Sequence, residues 1–296
     1  MSEETEEISV SARPTASGEN MTVLKLGGSV ITDKTTPEAV DTDMLGSVTE
    51  TIGSAFIQAE SAHTTDHEQH AVDASEGAAT QLNHNSNTEH GGLIIVHGGG
   101  SFGHHHAERH NITTTSGTTD AAAICEVHDA MQRLNGTVVE ALHTVGVPAV
   151  PVHPLSVATR DSDSTLEIPI SPFSQMLAQG FVPVTHGDII IDSHSGTTIL
   201  SGDEIVVTIA EKLTADRVGL CSTVAGVYDD NGKIIPEITD YESVAGVLGD
   251  ADTTDVTGGM AGKVRTLLNL NVPAHIFEPT ALNGFLTRED VGTTVN

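Results

Sequence analysis

Basic and aromatic residues are scarce in this sequence. Its 296 residues include 12 Lys and Arg against 41 Asp and Glu, a net charge of −29, and only 3% are aromatic, with no tryptophan. A surface with this excess of negative charge repels nucleic acid and anionic lipid. We therefore expect neither of them as a partner. The acidic residues are spread along the whole chain and therefore indicate no cationic substrate. We interpret them as groups that hold water and cations at the surface of a halophilic protein.

Cysteines and long apolar runs are also scarce. The two cysteines, Cys125 and Cys221, argue against a disulfide framework and suit a reducing cytosol. No run of about 18 apolar residues is present, so no membrane-spanning helix is predicted. The acidic residues 1–20 lack the apolar segment of a signal peptide. We therefore expect a disordered acidic tail over residues 1–20 and a cytoplasmic protein.

Strand and helix patterns alternate along the rest of the chain. Amphipathic helices are predicted after Pro37 and from Ile124 to Leu142, and further helices over residues 203–213 and 259–270. This alternation predicts an α/β fold in which a mainly parallel central sheet is sandwiched between helices. Short apolar runs predict strands at 22–26, 93–96, 148–152, 182–185, 218–221 and 274–277, with a hairpin at 189–191 and 198–200.

One domain is predicted over residues 21–296, interrupted by a polar insertion. Residues 61–90 are rich in His and Asn and have almost no apolar pattern, which is typical of a surface insertion. The irregular spacing of the histidines and the lack of cysteine argue against a metal-binding tract there.

Three glycine-rich turns carry the chemistry. In the first, Lys25-Leu26-Gly27-Gly28-Ser29, a lysine at the end of a strand lies beside two glycines. Exposed backbone amides and an ammonium group suit phosphate oxygens, although a tight turn with a surface lysine is the alternative.

The second turn, residues 97–104, contains G-x-G-x-x-G after a strand, so a dinucleotide-binding fold must be considered. That fold requires an acidic residue about 20 positions further on, at the end of the next strand. Asp120 instead leads into a helix, and the turn belongs to the second strand–helix unit, so we disfavour this alternative.

The third turn, residues 255–263, places Lys263 in the first turn of a helix. A cation at that end opposes the helix dipole unless an anion is bound, which indicates a phosphate. The G-x-x-x-x-G-K-[ST] motif of P-loop enzymes is absent from the sequence.

In order and spacing, these turns and Ser201-Gly202-Asp203-Glu204 resemble the amino acid kinase superfamily over about residues 21–290. The resemblance implies that Lys25 and Lys263 flank the transferred phosphoryl group and that Asp203 orients these lysines. It also implies Mg²⁺ held by the phosphates of ATP, with no protein side chain as a ligand. The implied nucleotide contacts are Lys25, Leu26, Gly27, Gly28, Ser29, Gly100, Thr223, Gly259 and Lys263.

His104 narrows the expected substrate. A histidine after Gly-Gly-Gly-Ser-Phe-Gly resembles the isopentenyl phosphate kinases of this superfamily, which implies that His104 hydrogen-bonds the substrate phosphate. The alternative for His104 is a structural or solvent histidine. The same resemblance implies a role for Lys34 at the ATP phosphates and for Gly99 and Gly187 at the substrate phosphate.

Residues 222–228 depart from the pattern, because two aspartates that many relatives carry there are missing. The adenosine contacts near Thr223 are therefore the weakest part of the resemblance. Met131 and Leu134 on the long helix are candidates for an isoprenoid pocket, with plain core as the alternative.

The resemblance thus implies ATP-dependent phosphorylation of isopentenyl phosphate to isopentenyl diphosphate, in an archaeal-type mevalonate route, by a homodimer. The alternatives are a related kinase of another small phosphate or phosphonate, such as fosfomycin, and a non-catalytic nucleotide-binding protein of the same fold. The presence of Lys25, Asp203 and Lys263 together argues against the non-catalytic alternative.

Overall fold

The computed structural model of the chain describes residues 20–67, 92–248 and 259–296, with only the backbone described for 59–67. All but Asn20 of the predicted tail lies outside the described residues, as does most of the predicted insertion. No helix among the described residues is long and apolar enough to span a membrane.

Short apolar runs form the strands, because buried β-branched and aliphatic side chains pack well on both faces of a sheet. The twelve strands of the described residues are β1 (Thr22–Leu26), β2 (Leu93–His97), β3 (Ala149–Pro151), β4 (Thr159–Arg160), β5 (Leu166–Glu167), β6 (Val182–His186), β7 (Asp188–Asp192), β8 (Gly196–Leu200), β9 (Arg217–Cys221), β10 (Glu237–Ile238), β11 (Ala274–Phe277) and β12 (Thr293–Val295).

The helices lie between these strands. Those of the described residues are α1 (Gly28–Ile31), α2 (Thr42–His67), α3 (Gly100–Arg109), α4 (Ala121–Thr144), α5 (Ser171–Ala178), α6 (Gly202–Leu213), α7 (Ala245–Leu248), α8 (Gly259–Leu267) and α9 (Leu282–Leu286).

The main sheet has eight strands in the order β10-β12-β11-β9-β1-β2-β6-β3. All its neighbouring pairs are parallel except β11 and β12. Because β1 lies between β2 and β9, Leu26 pairs with His97 on one side and with Cys221 on the other. The carboxyl ends of these three adjacent parallel strands therefore lie side by side, and ligands of open α/β folds bind at such strand ends.

Helices cover both faces of the main sheet, which confirms the predicted fold class. Successive side chains of a strand point to opposite faces. Val23 thus joins one apolar cluster with residues of α6 and α8, whereas Leu24 joins another with residues of α2, α4 and α9. The predicted β7–β8 hairpin belongs to a second sheet, in the order β5-β4-β7-β8, that the sequence patterns did not reveal as a whole.

Five of the nine described helices, α1, α3, α5, α7 and α9, were not predicted, and the predicted helix α2 is longer than expected. Helix α3 begins within the second glycine turn, where only Phe102 and Ala107 supply buried apolar side chains larger than glycine, so its apolar stripe is too short to recognise. Helix α2 continues to His67, seven residues into the segment predicted as an insertion. Alanine, glutamine and glutamate are good helix formers, so residues 55–62 extend the helix without an apolar stripe.

Gly219 in β9 provides a test of this packing. A Cβ there would lie 2.5 Å from the Phe285 ring, which stacks on Phe277 at a centroid distance of 4.9 Å. We predict that Gly219→Ala lowers the free energy of unfolding by about 1–3 kcal/mol in urea titrations, because the ring must shift in a packed core.

The matched control is Gly136→Ala on the exposed face of α4, where a Cβ would meet no atom within 4 Å. We expect it to raise the free energy of unfolding by about 0.5–1 kcal/mol, since alanine is the better helix former. An unchanged stability of Gly219→Ala would contradict the described contact with Phe285.

Candidate active site

A cavity of about 270 Å³ opens where β1, β2, β6 and β9 end. Its wall is formed by the loops after these strands, by the first turns of α3 and α6, and by one side of α8. Twelve predicted site residues line it: Lys25, Gly27, Gly28, Ser29, Lys34, Gly99, Gly100, His104, Gly187, Asp203, Thr223 and Lys263.

Two predicted contact residues, Leu26 and Gly259, do not line the cavity. The Leu26 side chain is fully buried in the apolar core, and its carbonyl accepts a hydrogen bond from the Gly98 amide. Leu26 therefore forms the sheet rather than the cavity wall. Gly259, with a positive φ of 58°, begins α8, and its carbonyl lies 3.5 Å from Nζ of Lys263. Residues 255–258 of the third turn lie outside the described residues.

An ion pair between Lys25 and Asp203 connects the first strand to α6. Lys25 Nζ lies 2.6 Å from Asp203 Oδ1, and both side chains are about nine-tenths buried. A Ser201–Glu204 capping box fixes the first turn of α6, which carries Asp203. At Gly202 a Cβ would lie 3.1 Å from Cε of Lys25, so the glycine leaves space for the lysine. The pair holds the ammonium group at the cavity wall.

The first two glycine turns contact each other backbone to backbone. A Cβ on Gly28 would lie 2.2 Å from the Gly100 nitrogen, and one on Gly98 would lie 2.7 Å from the Gly28 nitrogen. Thr32 adds a connection, because its Oγ1 donates to the Gly28 carbonyl and accepts from the Ser101 amide. Only glycine permits this approach, which brings the amides of both turns to one place.

The cavity concentrates positive charge in a strongly acidic chain. The sequence contains five lysines, and three of them, Lys25, Lys34 and Lys263, line the cavity. Together with glycine amides, these ammonium groups form a site for an anion.

The loop that carries Lys34 is held by charged contacts to α3 and α4. Glu38 contacts the Nε2 of His106 and Nη2 of Arg133, the latter at 2.7 Å. The hydrogen bond from Arg133, followed by that from His106, lowers the pKa of Glu38. His106 is buried and also contacts Glu126, whereas its neighbour His105 is exposed. The loop that carries Lys34 is thereby connected to α3, the helix that carries His104.

A row of histidines lies beneath the cavity, and the sequence patterns did not single it out as a group. The rings of His97 and His186 stack with centroids 5.4 Å apart, and Nε2 of His186 lies 2.9 Å from Nδ1 of His153. Burial lowers the pKa of His97 to about 4 and lowers the pKa of His186 well below its ordinary value. Both rings are therefore neutral at neutral pH.

The row ends at an ion pair on the cavity wall. Nδ1 of His128 lies 2.9 Å from Oδ2 of Asp188, whose side chain is fully buried. This hydrogen bond raises the pKa of His128, and burial raises the pKa of Asp188 despite the nearby imidazole. The sequence contains one sign of this row: His97 and His186 each precede a glycine at the end of a predicted strand. The sign becomes informative only when the structure shows that these two strands are neighbours.

The apolar end of the cavity distinguishes two buried residues of α4. Met131 lines the cavity together with Ala107, Val127 and Ile199, and a Cβ on Gly103 would lie 2.8 Å from its sulfur. Leu134, one turn further along α4, belongs to the same buried core cluster as Met131 but does not line the cavity.

A phosphoryl-transferring enzyme is the class that this fold and cavity define, because lysines and glycine amides converge at the strand ends. A sequence model of the amino acid kinase family matches residues 20–277, and the chain belongs to this family. The chain is 46% identical to the isopentenyl phosphate kinase of Haloferax volcanii, over 93% of this chain and 98% of that protein.

Further relatives agree with this assignment. The isopentenyl phosphate kinase of Methanocaldococcus jannaschii is 32% identical over 58% of this chain and 66% of that protein. A solved isopentenyl phosphate kinase superposes with a TM-score of 0.71 at 26% identity, covering 93% of this chain and all of that one.

The His128–Asp188 pair predicts a pH dependence of stability. The folded state raises the pKa of His128 above its unfolded value. The pair therefore stabilises the fold fully below about pH 6.5, and this contribution is lost as the pH rises through the raised pKa. We predict that His128→Gln lowers the free energy of unfolding more at about pH 6 than at about pH 9.

Urea titrations of both proteins at the two pH values measure this difference. His143→Gln is the control. Nε2 of His143 lies 2.8 Å from the carbonyl oxygen of Ala149, and no carboxylate among the described residues makes a hydrogen bond to His143. An equal effect of His128→Gln at both pH values would contradict the assigned ion pair.

Proposed function

We propose that this kinase transfers the γ-phosphoryl group of ATP to isopentenyl phosphate and forms isopentenyl diphosphate. The observation that carries the proposal is that His104 opens into the same cavity as Lys25, Lys34 and Lys263. A second phosphate therefore has its own recognition group beside the phosphoryl-binding lysines. The names of the relatives support the same acceptor.

We assign Lys25 and Lys263, which both line the cavity, to flank the transferred group. An oxygen of the acceptor phosphate attacks the γ-phosphorus, a new P–O bond forms, and the bond to the β–γ bridging oxygen breaks to release ADP. Negative charge on the equatorial oxygens is then stabilised by the two ammonium groups and by the amides of Gly28 and Gly100. Asp203 orients Lys25 through the 2.6 Å ion pair.

Nucleotide binding is assigned to the side of the cavity formed by Gly27, Ser29, Thr223 and α8. Lys34, held by the contacts of its loop, is assigned to the ATP phosphates. We propose Mg²⁺ bound through these phosphates. The described residues contain no group of three or more His, Cys, Asp or Glu side chains that could hold a metal ion. The Asp203 carboxylate is paired with Lys25, so a metal carried by the nucleotide suits this donor set.

The acceptor phosphate is assigned to His104, Gly99 and Gly187. His104 lies on α3, and the amide of Gly99, which directly precedes this helix, makes no hydrogen bond among the described residues. Gly187 contributes space rather than a donor, because its amide already donates to the His97 carbonyl. Beyond His104, Ala107, Val127, Met131 and Ile199 form an apolar wall that suits a short isoprenoid chain.

A substrate panel tests the proposal. Turnover with MgATP in KCl-rich buffer is followed by phosphorus NMR for isopentenyl phosphate, dimethylallyl phosphate, fosfomycin, acetylglutamate and UMP. We expect a diphosphate signal with isopentenyl phosphate. Turnover of fosfomycin, acetylglutamate or UMP, with none of isopentenyl phosphate, would overturn the assignment.

His104→Ala separates acceptor binding from nucleotide binding. We predict a fall in kcat/KM for isopentenyl phosphate of about 100-fold or more, because a charged hydrogen bond to the reacting phosphate is lost. The Kd of MgATP, measured by calorimetry, should stay within about threefold since the nucleotide contacts remain.

His105→Ala is the matched control, because His105 is the next residue of α3, is exposed and does not line the cavity. It should retain the activity of the unmodified protein. If His104→Ala weakened the binding of MgATP and left the kinetics for the acceptor unchanged, the assignment of His104 to the acceptor phosphate would be wrong.

The assembly and setting are proposed from the family resemblance and the composition. We propose a homodimer in a salt-rich cytoplasm, for which the net charge of −29 is suited. Light scattering at high and low KCl measures the mass in solution, and a monomer in high KCl would contradict the dimer.

A further inference from the structure

Two histidines occupy equivalent positions at the ends of neighbouring strands. His97 ends β2, His186 ends β6, and the two are register partners in the sheet. Both side chains are fully buried. Each precedes a glycine that lines the cavity, Gly98 and Gly187 respectively.

Each ring contacts the carbonyl of the glycine that follows it. Nδ1 of His97 lies 3.1 Å from the Gly98 oxygen, and Nδ1 of His186 lies 2.9 Å from the Gly187 oxygen. A carbonyl oxygen only accepts hydrogen bonds, so Nδ1 carries the proton in both rings. Because burial keeps both rings neutral, the Nε2 atoms are then acceptors.

The partners of the Nε2 atoms fit this assignment. His153 offers Nδ1 to His186 at 2.9 Å. Nε2 of His97 lies 3.0 Å from Oδ1 of Asn135. Nδ2 of Asn135 is buried and has no hydrogen-bond partner among the described residues. Rotating the Asn135 amide by 180° exchanges its oxygen and nitrogen. Nδ2 then donates to Nε2 of His97, so both of these atoms have a hydrogen-bond partner.

The two hydrogen bonds fix the backbone at the cavity wall. A trans peptide unit is planar, so holding the Gly98 carbonyl toward His97 directs the Gly99 amide the opposite way. In the described part of the chain this amide makes no hydrogen bond, and Gly99 lines the cavity. Gly187 is held on both sides, since its amide donates to the His97 carbonyl at 2.9 Å.

The fixed glycines lie close together. A Cβ on Gly187 would lie 3.4 Å from the Gly202 nitrogen and 3.9 Å from the Gly99 nitrogen. The Gly187 backbone therefore sets the spacing of two amides that come from different loops. Amides held in place before the reaction stabilise developing charge at no reorganisation cost, and a displacement of about 1 Å lowers rates about 100-fold.

We propose that His97 and His186 are positioning residues for phosphoryl transfer: their Nδ1–H groups direct the Gly99 amide toward the acceptor phosphate and fix the Gly187 backbone beside it. This proposal rests on the proposed function for its substrate. The competing explanation is that the two rings only fill space beneath the sheet.

Asparagine and glutamine variants separate these explanations. The side-chain amide of asparagine reaches the position of Nδ1, whereas that of glutamine reaches the position of Nε2. We expect His97→Gln and His186→Gln to lower kcat/KM for isopentenyl phosphate about 10- to 100-fold. His97→Asn and His186→Asn should stay within about threefold, and the KM of MgATP should stay within about threefold in all four.

Thermal unfolding of the same variants controls for stability. His143→Asn removes a similar histidine–carbonyl bond away from the cavity, because His143 makes this bond through Nε2, which asparagine does not reach. It should change Tm without changing kcat/KM. Equal losses of activity in the Asn and Gln variants, or losses that follow Tm, would overturn the positioning role.

A measurement without substrate tests the premise independently of turnover. Long-range ¹⁵N NMR of the histidine-labelled protein should show Nδ1–H tautomers for both His97 and His186. An Nε2–H tautomer at either position would overturn the proposal. If the panel shows another acceptor, the proposed function fails, and the Asn and Gln comparison made with that acceptor still decides the positioning role.

Discussion

The contact between the first two glycine turns is the constraint on which the rest of the site depends. Adjacent parallel strands bring the chain out side by side at one edge, and Gly28 and Gly100 then approach within a distance that excludes any side chain. Two sets of backbone amides therefore converge without a protein side chain between them. Lys25 reaches the same place from inside the sheet, because Gly202 leaves room beside it and Asp203 holds it.

Electrostatics at this site run against the composition of the chain. A net charge of −29 repels polyphosphates at long range, and salt screens that repulsion within about 10 Å at 0.1 M ionic strength. Within the cavity the balance is local: three of the five lysines converge there, and the Asp203 carboxylate is paired with Lys25. The acidic surface and the phosphate-binding site therefore operate over different distances.

Eight of the twelve described strands and twelve residues of the cavity wall could be predicted from the sequence because both depend on local patterns. Lys25, Gly28 and Asp203 lie in motifs of fixed spacing, and the apolar runs of β1 and β2 read directly as buried strands. Leu26 belongs to the same motif as Lys25 but its side chain faces the core and does not line the cavity. Spacing alone does not tell which face of a strand end a side chain occupies.

The features that escaped prediction arise from tertiary contacts. The row of His97, His186, His153 and His128 comes from four separate segments, and only sheet register and helix packing bring these rings together. Met131 and Leu134 are both buried in the core, and the rotation of α4 against the sheet decides that only Met131 also lines the cavity. The periodicity of a helix identifies its apolar face but does not show which residues of that face also line a cavity.

Strand β8 passes directly into α6, so the smaller sheet and the lysine-binding aspartate belong to one continuous segment. Arg160 of β4 strengthens this connection through its 2.9 Å contact with Glu204, a member of the capping box that orients Asp203. Ile199, on the acceptor wall, lies in the same strand four residues before Asp203. One segment of backbone therefore connects the cavity wall at Ile199 to the aspartate that holds Lys25. We expect a substitution that reshapes this wall to change the rate of transfer together with the preference for the acceptor.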